Sequence, residues 1–170
     1  MRLWLLVVMV FLVGSTHAES FATVPSMNLP ESPRERTIRC AVESAATFQV
    51  DVLLLWAIKR VESGSAMTGR IELINRNDDG TVASIDRGPM QVNSQWLPRL
   101  RNLGVTLKDE DMYDWCVSFH VGAWLLSDAI KRHGLAEGVA RYHSPTGWRG
   151  ARYVRLVLKN LEQMSANKNG

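Results

Sequence analysis

The stretch that decides the fold is Trp56-Ala57-Ile58-Lys59-Arg60-Val61-Glu62-Ser63-Gly64, which ends a strongly apolar helical segment. Asp51, a few residues earlier, is a favoured residue for capping the start of a helix. Gly64 is a favoured residue just beyond the end of one. The pattern therefore predicts a helix over residues 51–63.

Glu62 is an acidic residue on the apolar side of this predicted helix. Leu55 and Ile58 lie seven and four residues before it, so all three share one face. Glu62 also lies in the last turn, where the helix dipole disfavours a negative charge. Burial and the dipole together should raise its pKa, which suits a general acid. The alternative is a glutamate that is solvated at a frayed helix end.

The N-terminal residues have the features of an export signal. Arg2 precedes the apolar run Leu3–Val13, and Thr16-His17-Ala18 resembles a signal-peptidase site. We expect a signal peptide over residues 1–18 and a periplasmic protein. The alternative is an uncleaved anchor, although the run is short for a membrane span. No later segment is apolar enough to cross a membrane.

The remaining chain is long enough for one domain with a core. We expect a proline-containing flexible leader over residues 19–37, a domain over residues 38–164 and a disordered polar tail over residues 165–170. The formal net charge is +3, and it falls to +2 when Arg2 is removed with the signal peptide. That charge is too small to indicate nucleic-acid binding.

The domain has the periodicity of a mainly α protein with a small β element. Asn77-Asp78-Asp79-Gly80 predicts the turn of a hairpin within residues 70–86, and turn chemistry is favoured over a calcium loop because the other spacings of such a loop are missing. We predict no metal or cofactor site. The predicted helices cover residues 38–48, 51–63, 94–102, 109–133, 135–142 and 150–164, the last with an apolar face of Val154, Leu158 and Leu161.

Cys40 and Cys116 are the two cysteines of the chain. An even number in an exported protein favours a disulfide, which would stabilise the fold by about 2–4 kcal/mol. The alternative is two buried free thiols.

Three motifs in order resemble those of the soluble lytic transglycosylase family. They are Glu62-Ser63-Gly64, the segment Asp86-Arg87-Gly88-Pro89-Met90-Gln91-Val92-Asn93, and Tyr142-His143-Ser144. Cys40, Cys116 and the run Gly122-Ala123-Trp124 resemble its small branch associated with conjugation and with type III and type IV secretion. The resemblance covers about residues 38–160.

The resemblance implies a lysozyme-like fold and cleavage of peptidoglycan between N-acetylmuramic acid and N-acetylglucosamine, with a 1,6-anhydro product. Glu62 matches the single catalytic acid and base of the family. The resemblance also places the side chains of Ser63, Met90 and Gln91 in the substrate cleft and Tyr142 near Glu62. The implied partners are glycan strands and components of a secretion or conjugation machine.

Some positions depart from the family pattern. Pro89 stands where the family usually has Leu. Ser118 and His143 each stand where the family commonly has Asn. His143 could hold a sugar or titrate near neutral pH. Asp86 could orient the loop or substrate, which we favour, or act directly in catalysis. Two other functions therefore stay open, a hydrolytic muramidase and a wall-binding secretion subunit without activity.

Overall fold

The computed structural model describes residues 31–166, and the predicted signal peptide lies outside them. Those residues form six helices, one 3₁₀ helix and three short strands. In chain order the elements are α1 (Pro33–Phe48), α2 (Val52–Ser63), β1 (Glu72–Arg76), β2 (Val82–Arg87), β3 (Val92–Asn93), α3 (Trp96–Asn102), a 3₁₀ helix (Asp109–Tyr113), α4 (Trp115–His133), α5 (Leu135–His143) and α6 (Gly147–Ala166). The mainly α, lysozyme-like fold is confirmed.

Helix α4 lies at the centre of the packing. It contacts α1 and α5, while α6 packs on α2 and α5. Phe119 and Leu126 of α4 are fully buried, as are Leu55 and Ile58 of α2. Helix α4 is therefore enclosed on most sides. None of the helices within residues 31–166 is both long and apolar enough to span a membrane.

The sheet is antiparallel with strand order β1-β2-β3. β1 and β2 form the predicted hairpin, and the turn after Arg76 connects them. Within this turn, the Asp79 carboxylate accepts hydrogen bonds from the backbone N–H and the hydroxyl of Thr81. β3 extends the sheet by pairing Asp86 with Asn93. The sheet thus brings residues of the second motif together on neighbouring strands.

The predicted boundaries of α2 are confirmed by its caps. The Asp51 carboxylate accepts the N–H of Leu54 at 2.8 Å. Gly64 follows the last turn with a φ of 62°, a conformation that glycine adopts at little cost. Gly134 likewise ends α4.

Helix α1 begins at Pro33, five residues before the predicted start. Ser32 and Glu35 form a reciprocal capping box, and Pro33 occupies the first helical position, where proline is favoured. The end of the expected flexible leader, residues 33–37, is therefore helical. The beginning of the expected tail is also helical, because α6 continues to Ala166.

Helix α4 begins at Trp115, so its predicted start at residue 109 was wrong. The Asp114 carboxylate accepts the N–H groups of Cys116 and Val117 and caps α4 there. Residues 109–113 form a separate 3₁₀ helix. The predicted disulfide is confirmed, since Cys40 of α1 is bonded to Cys116 of α4 across 76 residues.

Candidate functional site

Glu62 has a carboxyl group that is enclosed by the fold. Tyr153 of α6 donates its hydroxyl to Glu62 Oε1 at 2.5 Å. Burial raises the pKa of Glu62 to about 7, the Tyr153 hydrogen bond opposes that rise, and the negative charge of Asp86 adds to it. The carboxyl can therefore carry a proton near neutral pH and release it with a small change in its surroundings.

The chain that leaves α2 after Glu62 is fixed by Lys59. Its ammonium group donates to the carbonyl oxygens of Gly64 at 2.9 Å and Ala66 at 2.8 Å. It also lies 5.2 Å from the ring centre of Trp115. A charged side chain that is only 3% exposed thus has its donors satisfied, and it holds the turn that follows the candidate acid.

Asp86 is held on the sheet by two amides. Its carboxylate accepts from Asn75 Nδ2 at 2.8 Å and from Asn93 Nδ2 at 2.7 Å. The same amides donate to the hydroxyl oxygen of Ser84. All three strands therefore contribute to one network with Asp86 at its centre. The negative charge of Asp86 adds to the rise in the pKa of Glu62.

The second motif is connected to the helices through its backbone. Ser63 donates its hydroxyl to the carbonyl of Pro89 at 2.8 Å, and Tyr142 donates to the carbonyl of Met90 at 2.9 Å. The Met90 N–H donates to Ser118 Oγ at 3.1 Å. The hydroxyls of Ser63 and Tyr142 thus position this loop next to Glu62.

The side chains of the loop also serve packing. Met90 is fully buried and lies against Gly122, where an added Cβ would come within 2.9 Å of the Met90 methyl carbon. Gln91 has a φ of 47°, and its amide donates to the carbonyl of Gly88 at 2.9 Å. The structure therefore places Met90 in the core instead of on the cleft wall expected from the resemblance.

His143 and Tyr142 flank the tyrosine that contacts Glu62. The His143 ring is parallel to that of Tyr153 with their centres 4.7 Å apart, and the Tyr142 ring stacks at 6.5 Å. Partial burial lowers the pKa of His143, and the Arg149 charge acts in the same direction, whereas the charge of Asp86 opposes them. His143 therefore stays largely neutral at neutral pH and supports the position of Tyr153.

A cavity of about 400 Å³ opens beside Glu62. Its lining combines a carboxyl group, an imidazole, two guanidinium groups and aromatic and aliphatic side chains. The lining residues are Val61, Glu62, His143, Trp148, Arg149, Arg152, Tyr153 and Leu156. A ligand in this cavity can reach the acid and contact cationic and aromatic groups at the same time.

Tyr153 was not among the site residues predicted from the sequence. The buried face of α6 is formed by Tyr153 and Val157, whereas Leu158 of the predicted face is 51% exposed. Tyr153 and Val157 have the i, i+4 spacing of one helix face. That spacing could have indicated that Tyr153 is buried, but it does not indicate which distant residue accepts a hydrogen bond from its hydroxyl.

A second cavity, of about 650 Å³, is larger but lies elsewhere. It is mostly apolar and runs beside the disulfide between α1 and α4, and it contains none of the catalytic candidates. Within residues 31–166, no three His, Cys, Asp or Glu side chains come together to hold a metal ion. The smaller cavity next to Glu62 is therefore the candidate active site.

The chain is similar to proteins found in enteric bacteria. It is 33% identical over 137 residues to the invasion protein IagB of Salmonella typhi. This alignment covers 76% of this chain and 81% of that protein. It is 28% identical over 138 residues to a peptidoglycan-binding-like protein of Escherichia coli O157:H7, with the same coverage of both chains. No family model matches the chain.

Proposed function

The chain belongs to the family of the invasion protein IagB, and from this premise we propose that it is a lytic transglycosylase acting on peptidoglycan. The observation that carries the proposal is the enclosed Glu62 carboxyl, with a pKa raised to about 7, at a cavity open to a ligand. The similarity to proteins named peptidoglycan-binding-like supports the choice of polymer.

In the proposed reaction, Glu62 first protonates the oxygen of the bond between N-acetylmuramic acid and N-acetylglucosamine. The 2-acetamido group of the muramoyl sugar stabilises the cationic centre. Glu62, now ionised, takes the proton from the O6 hydroxyl of that sugar, and O6 attacks to close the 1,6-anhydro ring. No water is consumed. Because the attacking group is on the same sugar, its effective concentration can lower the barrier by up to about 7–11 kcal/mol.

Tyr153 and Asp86 have distinct parts in this scheme. The Tyr153 hydroxyl already donates to Glu62 and stabilises the carboxylate that forms after the first proton transfer. The charge of Asp86 favours the protonated form of Glu62 at the start. Asp86 thus adjusts the acid and helps orient the substrate, and it forms no bond to the sugar.

A hydrolytic muramidase is the second candidate, and the fixed position of Asp86 favours it. Ordinary retaining and inverting glycosidases use two carboxyl groups on either side of the bond. The amides of Asn75 and Asn93 hold the Asp86 carboxylate in place on the sheet, and its charge acts on Glu62. In this reaction Asp86 would activate a water molecule or stabilise the sugar cation.

Mass analysis of digested peptidoglycan separates the candidates. We expect wild-type protein to release muropeptides that are one water lighter than lysozyme products, and Glu62→Gln to release none. The matched control is Glu162→Gln, which removes an exposed glutamate of α6. Products with ordinary reducing ends would support the muramidase. Binding to the wall without products would support a non-catalytic subunit.

We also propose a location and a purpose. The apolar run Leu3–Val13 predicts export to the periplasm, where the substrate is. There the enzyme would open the wall locally for a secretion or conjugation machine. Immunoblotting of periplasmic and cytoplasmic fractions tests the location. Finding the protein in the cytoplasmic fraction, with residues 1–18 still attached, would contradict the proposed location.

A further inference from the structure

The start of α6 presents two arginines and a tryptophan to the cavity that holds Glu62. Trp148, Arg149 and Arg152 all line this cavity and all are exposed, Trp148 by 66% of its surface. The Arg149 guanidinium lies 5.3 Å from the ring centre of Trp148. A largely exposed indole beside two cations offers a ligand an apolar ring face and positive charge at the same place.

Neither cation is neutralised by the described part of the protein. The seven ion pairs within residues 31–166 involve Arg36, Arg39, Arg87, Arg132 and Arg141, and not Arg149 or Arg152. Glu62 is the acidic residue among those that line the cavity. Its carboxyl group accepts a hydrogen bond from Tyr153 and forms no ion pair with either arginine among the described residues. The two positive charges are therefore available to a ligand.

The position of these arginines on α6 gives them a common direction. They are three residues apart and thus neighbours on one helix face. They lie in the first turns, where the helix dipole adds partial positive charge. Guanidinium groups bind carboxylates through paired, charge-assisted hydrogen bonds. This end of the cavity is therefore suited to an anionic ligand group, and a carboxylate is such a group.

We propose that Arg149 and Arg152 form a subsite for a carboxylate of the muramoyl unit, while Trp148 packs against the face of an adjoining sugar ring. This inference rests on the proposed function. The carboxylate has two possible sources in the substrate, the lactyl group of a muramoyl sugar without a peptide, or a stem peptide attached to that lactyl group. The subsite makes the enzyme specific for muramoyl strands over uncharged polymers of N-acetylglucosamine.

The test compares Arg149→Gln/Arg152→Gln with Arg155→Gln/Lys159→Gln. The control pair removes the same charge from the same helix at exposed positions outside the cavity. The substrates are soluble uncrosslinked glycan strands that carry stem peptides, and the same strands after an amidase has removed the peptides. Product release at several NaCl concentrations gives KM and kcat.

We expect the arginine variant to raise KM by about tenfold at low salt, with kcat changed by less than about twofold, because ground-state binding is lost. The KM of the wild type should also rise with NaCl more steeply than that of the variant. A rise only on the strands without peptides identifies the lactyl carboxylate, because that group is an amide in the peptide-bearing strands. A rise only on peptide-bearing strands identifies a carboxylate of the stem peptide, and a rise on both substrates means that the subsite accepts either source. A KM equal to that of the control on both substrates overturns the proposal.

Cosedimentation with insoluble peptidoglycan separates this inference from the proposed function. In a Glu62→Gln background, the arginine variant should remain in the supernatant at a salt concentration where the control still sediments. Equal sedimentation of the two overturns the subsite. A wild type that releases no product from any strand refutes the proposed reaction, while the binding comparison still decides the subsite.

Discussion

Replacing Glu62 by Gln removes an ionisable group whose charged form the fold disfavours. In the native protein the pKa of Glu62 is raised from 4.5 to about 7 by burial. Each pKa unit corresponds to about 1.4 kcal/mol, so the ionised carboxylate costs roughly 3 kcal/mol of folding free energy. Gln has nearly the same shape and can still accept the Tyr153 hydroxyl.

The sign of the effect follows from proton binding. Between pH 4.5 and about 7 the native state holds a proton on Glu62 that the unfolded chain has released. The contribution of this group to stability therefore falls as pH rises through that window, and the full cost is present above about pH 7. Glu62→Gln should match the wild type near pH 4.5 and be more stable by roughly 3 kcal/mol at pH 8.5.

Thermal unfolding followed by circular dichroism measures this difference. For a domain of about 150 residues, roughly 3 kcal/mol corresponds to a Tm increase of about 6–12 °C at pH 8.5. Glu162→Gln is the control for removal of an exposed glutamate from a helix. A difference between Glu62→Gln and wild type that is the same at both pH values would refute the buried-acid interpretation and favour a solvated glutamate.

Three further changes test the surroundings of the site. Tyr153→Phe removes the donor that lowers the pKa of Glu62, so the alkaline limb of the pH profile of kcat/KM should move upward by about one unit. Lys59→Met leaves two loop carbonyls without their donor and should cost about 2–4 kcal/mol in urea unfolding. Cys40→Ser/Cys116→Ser opens a link across 76 residues and should cost up to about 4 kcal/mol, measured in the same way.

Features with local causes could be predicted from the sequence. Asp51 caps α2 through the N–H three residues later, and Gly64 ends the same helix, so both follow from neighbouring residues. The turn between β1 and β2 also has its determinants within a few residues. The errors at α1 and α4 came from caps that were overlooked, Ser32 and Asp114, and not from long-range packing.

Contacts between distant residues could not be predicted in the same way. Tyr153 reaches Glu62 across 91 positions, and nothing in the order of residues indicates which tyrosine of the chain makes that contact. The resemblance placed Tyr142 near Glu62, but it did not indicate that the Tyr142 hydroxyl donates to the carbonyl of Met90. Asp86 could be singled out from its motif, but its hydrogen-bond network depends on strand pairing that places Asn75 and Asn93 beside it.

The balance at Glu62 explains why one carboxyl could act as an acid and then as a base. Burial alone would push the pKa upward until the carboxyl could no longer give up its proton easily, whereas the Tyr153 hydrogen bond limits that rise. A pKa near the working pH is the best compromise between holding a proton and transferring it. In the proposed reaction the same oxygen atoms must do both within one turnover. Tyr153 is therefore as necessary to the proposed mechanism as the burial that makes Glu62 an acid.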